Sequence, residues 1–326
     1  MIRKRLQRVR KKAGGILIEG AFQSMARAGR RHPRARAAIG RLEVEYDVPY
    51  LPTGSRAHTL DIYRAPNLPQ RAPILFYVHG GGFRILSKET HWLMAVAYAQ
   101  RGYVVFSINY RLAPQHPFPA AIEDVCDAYA WVHAHGGEYG GDPDAIVVAG
   151  ESAGGNLVTA LTVASCYDRA EPYARRVRAL PVPAACLPAC GLLQTSDVAR
   201  LKRRKPEMKT FILDRLRECE EGYLAATNAD DVGLADPLVV LESGPPARPL
   251  PPFFQICGTK DPLLDDTRRL TVALEALGVD NEQRIYPGEL HAFHAFLWRP
   301  AARQAWADTW GFLGQRGFPS ERLAGV

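Results

Sequence analysis

Gly150, Glu151, Ser152, Ala153 and Gly154 stand between an apolar, β-prone run, Ala145–Ala149, and a helix-compatible stretch, Gly155–Ala164. A strand, a tight turn flanked by glycine and then a helix is the setting that exposes a serine hydroxyl at the top of a sheet. The glycines let the backbone turn without a Cβ clash. The helix start brings N–H groups that favour developing negative charge. A chain built around such a turn is constrained to alternate strands with helices.

A second glycine cluster lies about seventy residues upstream. His79, Gly80, Gly81, Gly82 and Phe83 follow another apolar run, Ile74–Val78. Successive glycines let backbone N–H groups converge on one space and hold an oxyanion. A phosphate-binding loop would need G-x-G-x-x-G or G-x-x-x-x-G-K-[ST], and neither pattern occurs.

A serine hydroxyl is a weak nucleophile at neutral pH; it needs a base, and the base needs an orienting carboxylate. Where the serine sits on such an elbow, the chain order is Ser, then Asp or Glu, then His. Only His291 and His294 follow Ser152. His291 falls in the loop after the strand-like Arg284–Tyr286. His294 falls within a helix-like Phe293–Trp298 and reads as packing or surface. Asp261 lies just past the strand-like Phe253–Cys257, within reach of a histidine from the next loop. Asp265 and Asp266 read as acids of a helix start, and Asp236, before Pro237, as a turn residue.

Taken together, these segments resemble the hormone-sensitive-lipase group of α/β-hydrolase esterases, the bacterial family IV carboxylesterases, from about residue 70 to 295. His79–Phe83 is similar to that family's oxyanion loop, Asn109–Ala121 to its signature after the next strand, Gly150–Gly155 to its elbow and Asp261–Asp265 to its acid segment. The resemblance implies a triad of Ser152, Asp261 and His291, with oxyanion donors from the backbones of Gly81, Gly82 and Ala153. His79, Gly80 and Glu151 would support these motifs, and Phe83 and Phe293 are the candidate pocket aromatics. Two departures stand out. Glu151 replaces the usual Asp, so its partners must accommodate an extra methylene; Ala292 follows the base where Gly is usual.

The implied fold is α/β: a mostly parallel sheet of about eight strands flanked by helices, with a helical cap. Strand-like runs occur at Val44–Val48, His58–Tyr63, Ile74–Val78, Val104–Ile108, Ile146–Ala149, Val182–Leu187, Phe253–Cys257 and Arg284–Tyr286. Pro119–His133, Gly155–Ser165, Thr267–Leu277 and Ala301–Leu313 carry helical patterning between or after them. The first two runs, with no helix between them, suit an antiparallel edge hairpin. Two segments break the rhythm: residues 1–40, and an insertion at 192–236 with a helix expected over Asp214–Thr227. The expected organisation is a basic N-terminal cap segment (1–40), core (41–191), cap insertion (192–236) and core again (237–326).

The net charge of +7 is unevenly placed: residues 1–36 hold twelve Lys or Arg against Glu19, so the remainder is net acidic. No nucleic-acid module accompanies the basic arm, and nucleic acid is not expected as a partner. A weak contact with an anionic surface is the arm's alternative to a solvated cap helix. Ala13–Phe22 is too short for a membrane span and lacks the features of a cleaved leader. Six scattered cysteines suit reduced thiols in the cytoplasm. Cys186 and Cys190 lack nearby histidines, so no metal is expected, nor any cofactor. The expected activity is hydrolysis of short- to medium-chain carboxylic esters, a small-molecule substrate, through an acyl-enzyme. An amidase or aryl-formamidase with the same triad, or a non-catalytic receptor on this fold, are the alternatives. Self-association as a homodimer is left open.

Overall fold

Eight strands, the inner ones mostly apolar, pair into one sheet in the order β1-β2-β4-β3-β5-β6-β7-β8. The computed structural model describes residues 20–228 and 232–326. In chain order the elements are α1 (20–31), α2 (Pro33–Ile39), β1 (Glu43–Pro49), β2 (Thr59–Arg64), β3 (Ala72–Val78), α3 (Trp92–Ala99), β4 (Val104–Ile108) and α4 (Ala120–His135). There follow β5 (Gly141–Glu151), α5 (Ala153–Cys166), α6 (Pro172–Arg178), β6 (Ala185–Ala189), α7 (Ala199–Arg204), α8 (Thr210–Tyr223) and α9 (Pro237–Ser243). The last four are β7 (Phe253–Gly258), α10 (Leu264–Ala276), β8 (Asn281–Tyr286) and α11 (Pro300–Gln315). β1 and β2 form an antiparallel edge, β2 runs antiparallel to β4, and the other pairings are parallel.

Alternation along the inner strands divides the core in two. Ile74, Phe76 and Val78 of β3 pack with Ile146 and Val148 of β5 against α4 and α5. Leu75, Tyr77, Val147 and Ala149 face α3 and α11 on the other side. A strand covered by helices on both faces reads as a continuous apolar run, which is why these strands stand out in the sequence. Helix α5 is buried at every residue because the sheet, α4, α6 and α9 surround it.

All eight expected strands form, with shifted ends where the residues explain it. Expected from Val182, β6 begins at Ala185, since Pro183 has no N–H for the ladder. β8 begins three residues early, at Asn281, because a half-solvated edge strand accepts the polar Asn281, Glu282 and Gln283. Two differences are larger. Helix α3, apolar on all sides, gives no periodic signal and was not expected. The helix expected over Phe293–Trp298 is only a 3₁₀ turn, Phe293–Ala295, entered through Ala292 at φ 54° and left before Pro300 opens α11.

Residues of both segments that break the rhythm line one cavity beside Ser152, at the carboxyl end of β5. In the 192–236 insertion, α8 starts and ends four residues earlier than expected, at Thr210 and Tyr223. It is tied down by Phe83, whose ring stacks on Tyr223 at 3.8 Å, and by Arg84, whose Nη1 donates to Glu218 at 3.2 Å. Helix α1 leans on the core through Trp92 Nε1, which donates to the Ala26 carbonyl at 3.2 Å. The most basic stretch of the arm lies in residues 1–19, outside the described residues.

Candidate active site

The elbow is built by close backbone packing. β5 ends at Glu151, Ser152 takes φ 56° and ψ −117°, and α5 begins at Ala153. A Cβ at Gly150 would press on the Gly154 backbone at 2.6 Å, and one at Gly154 would collide with the Val78 carbonyl of β3. These two glycines let the helix start rest on the neighbouring strand, and that contact holds the serine in its unusual backbone region. Ser152 N donates to Ala189 O at 2.9 Å, and its carbonyl accepts from Asn156 N at 3.1 Å.

The glycine loop, Gly80–Gly82, follows β3 directly. Gly81, Gly82 and Phe83 all have positive φ, at 116°, 61° and 62°. A side chain at Gly81 would strike the Ile85 carbonyl, which belongs to the turn closed by Arg84 N and Ile85 N on Gly81 O. The N–H groups of Gly81, Gly82 and Ala153 donate to no protein acceptor among the described residues. Gly81 and Gly82 border the cavity that Ser152 lines, and Ala153 follows Ser152 at the start of α5.

Asp261 and His291 meet as a pair. His291 Nδ1 lies 2.8 Å from Asp261 Oδ2, while Asp261 Oδ1 accepts from Leu263 N at 2.8 Å. Burial pushes the imidazole down, but the Asp261 carboxylate beside it wins and holds His291 well above the usual histidine range. Ser152 and His291 line one cavity of about 840 Å³ with Gly81 and Gly82. The Ser152 hydroxyl makes no hydrogen bond to His291 in this resting form; such contacts commonly tighten only when substrate is bound.

Glu151 carries the extra methylene into a buried knot. Its Oε1 accepts from Gly80 N at 2.7 Å and sits 2.6 Å from His91 Nε2, and its Oε2 accepts from the Tyr77 hydroxyl. Burial works against the Glu151 charge, yet His91 and Tyr77 bring its carboxyl down to about 2. Burial likewise opposes the His91 charge, and Glu151 raises it. The knot ties the glycine loop to the residue before Ser152. His79 is packed between Tyr110 and His91, and burial with the nearby His91 charge takes it to about 3, so its role is to be a neutral spacer. We expect Glu151→Gln to cost on the order of 3 kcal/mol, since buried His91 loses its countercharge and must give up its proton, while Gly80 N and Tyr77 lose a charged acceptor. The depressed carboxyl contributes stability above its unfolded value near 4.3, a contribution lost as pH falls towards about 2. Urea unfolding of wild type and variant across that range measures both effects; equal stability at every pH would discount the knot.

Several assignments from sequence change here. Phe83 and Phe293 do not line the cavity: Phe83 is fully buried under Tyr223, and Phe293 packs 5.0 Å from Tyr286. An aromatic after the glycines is better used pinning α8. Asp266 stands in the first turn of α10, as expected, but does more than meet a helix start. It is fully buried, accepts from Leu193 N at 2.8 Å and pairs with Arg200 of α7, which joins the insertion to the core. Asp236 is buried too, and receives Thr195 and Ser196. His294 is buried, as a packing residue should be, and burial lowers it to about 4. His91 and Cys190 were missed. Nothing local marks a histidine as the partner of a carboxylate sixty residues on. Cys190, at φ 38° just beyond β6, brings Sγ within 4.8 Å of a His291 nitrogen and an Asp261 oxygen. That trio could hold a soft cation only by taking His291 from Asp261, so it reads as a thiol packed on the pair.

With the geometry in hand, comparison with known proteins is direct. A profile of the alpha/beta hydrolase fold matches residues 75–295. The chain is 31% identical over 246 residues to Carboxylesterase NlhH of Mycobacterium tuberculosis, covering 75% of this chain and 74% of that one. It is 31% identical over 226 residues to an acetyl esterase of Salmonella schwarzengrund, covering 69% and 66%. Among solved structures, esterase LipW of Mycobacterium marinum superposes with a TM-score of 0.72 at 24% identity, over 89% of this chain and 86% of that one, a likeness of fold. EstE5, solved after soaking with p-nitrophenyl butyrate, gives 0.63 at 28% identity over 82% of each chain.

Proposed function

The chain belongs to the alpha/beta hydrolase fold family, in its hormone-sensitive-lipase-like group, and from that premise we propose that it is a serine carboxylesterase. The observation that carries the reading is the convergence of Ser152, His291, Gly81 and Gly82 on one cavity. In this reading Ser152 Oγ attacks the acyl carbon as His291 Nε2 takes the hydroxyl proton. Asp261 holds Nδ1–H, fixing the tautomer and stabilising the imidazolium. The N–H groups of Gly81, Gly82 and Ala153 receive the oxyanion. Collapse breaks the C–O bond to the alcohol, which leaves with the proton from His291. Water, deprotonated by the same imidazole, then releases the acid and restores Ser152.

α1 and α8 are read as the two halves of a cap, since Phe22, Met25, Ile212 and Leu216 wall the cavity above Ser152. Six free cysteines support a reducing, cytoplasmic setting. A cavity of this volume has room for an ester with a short to medium acyl group. We expect kcat/KM on p-nitrophenyl esters to peak at about C4 to C8, each accepted methylene adding up to about 0.8 kcal/mol until the cap is met. A serine-directed organophosphate should abolish the turnover. Activity resistant to that reagent would sink the serine mechanism, and a maximum at about C12 or beyond would make the protein a lipase instead.

A further inference from the structure

Eight large hydrophobic side chains are exposed among the described residues, and five of them ring the mouth of this one cavity. They are Phe22 and Met25 of α1, Phe211 of α8, and Leu290 and Trp298 from the segment between β8 and α11. Trp298 is 70% exposed, Leu290 60% and Phe211 53%. Isolated apolar residues on a surface are ordinary; five from three separate segments around one opening form a patch that normally meets a partner.

Charge indicates which partner. The cavity wall holds Arg84, Arg215 and Lys260 against Glu218 and Glu151. Glu151 is already bound to His91, and Glu218 is shared between Arg84 at 3.2 Å and Arg215 at 2.8 Å. With both carboxylates so engaged, Lys260 adds positive charge at the mouth. Phe22 lies close in sequence to residues 1–12, which hold seven Lys or Arg and no acid. Two copies meeting mouth to mouth would bring like charges together. An anionic lipid surface satisfies both the charge and the apolar ring, as a basic segment beside inserted aromatic and aliphatic side chains does on peripheral proteins.

We propose that the cavity mouth docks on anionic phospholipid bilayers, with Trp298, Leu290 and Phe211 entering the headgroup boundary, so that lipophilic esters pass from lipid to Ser152 without crossing water. The docking is peripheral: no helix among the described residues is long and apolar enough to cross a membrane. It deepens the esterase reading by naming where the substrate resides. The acyl-length limit remains a property of the cavity.

Trp298 supplies its own probe, because Trp92, Trp131, Trp306 and Trp310 are all buried or half-buried. The full chain is mixed at low salt with vesicles of phosphatidylcholine containing about 30% phosphatidylglycerol, some carrying brominated acyl chains. We expect co-sedimentation, a blue shift and bromine quenching, with the last two lost in Trp298→Phe. The combined Leu290→Ser, Trp298→Ser and Phe211→Ser variant, matched to wild type in thermal unfolding, should bind about tenfold or more weaker. Equal affinity in that variant would overturn the proposal. So would failure to bind these vesicles, binding with Trp298 unquenched (adsorption of the basic arm alone), or a lipid-free, concentration-dependent blue shift showing that a second copy covers the mouth. Loss of ester turnover with quenching intact would count against the esterase reading and leave the docking standing.

Discussion

Replacing Ser152 by alanine should lower kcat on p-nitrophenyl butyrate by about 10⁴-fold or more while the protein stays folded. The reading makes this hydroxyl the atom that forms the acyl bond, so no other side chain at the elbow can take its place. Its loss costs little structure, because it makes no hydrogen bond to the protein and the positive-φ turn is held by Gly150, Gly154 and the Ser152 backbone bonds. The residual rate should reflect oxyanion donors and substrate binding alone, which in such machinery still exceed water by about 10³-fold. Steady-state kinetics, thermal unfolding and stoichiometric labelling by an organophosphate decide it. A folded Ser152→Ala protein that turns over ester at the wild-type rate would make the elbow decorative.

Much of the fold was legible because burial on both faces writes strands as short apolar runs, as at Ile74–Val78 and Val104–Ile108. What was illegible lacked contrast or was long-range. α3 has no polar face to set a period, and the start of β8 is polar because it lies on an edge. The proposed reacting residues could be read because glycine spacing and chain order are local signals. Their supports could not. The His91–Glu151 and Arg200–Asp266 pairs join segments about 60 residues apart, and neither partner has a neighbour in sequence that announces the other. Phe83 shows the limit of motif reasoning: it was expected to line the pocket because it follows the glycine loop, but its ring stacks on Tyr223.

Three neighbouring acids provide a graded test of the proposed relay. Asp261→Asn keeps the size of the side chain but can donate to Nδ1, stabilising the wrong imidazole tautomer, and kcat should fall by about 10⁴-fold. Any remaining activity should have its ascending pH limb at lower pH, since the carboxylate that holds His291 up is gone. The sign follows from the base: hydrolysis requires neutral imidazole, so activity rises as pH passes through the His291 value, and lowering that value moves the rise to lower pH. Asp266→Asn should act differently. It breaks the buried pair with Arg200 and weakens the hold on Leu193, costing about 3–5 kcal/mol of stability. Its kcat, measured well below the melting temperature, should fall far less than that of Asp261→Asn. Asp265→Asn loses only a helix-end charge, under about 1 kcal/mol. Equal losses of kcat at Asp261 and Asp265 would show that the imidazole is not oriented by Asp261, whatever their distance at rest.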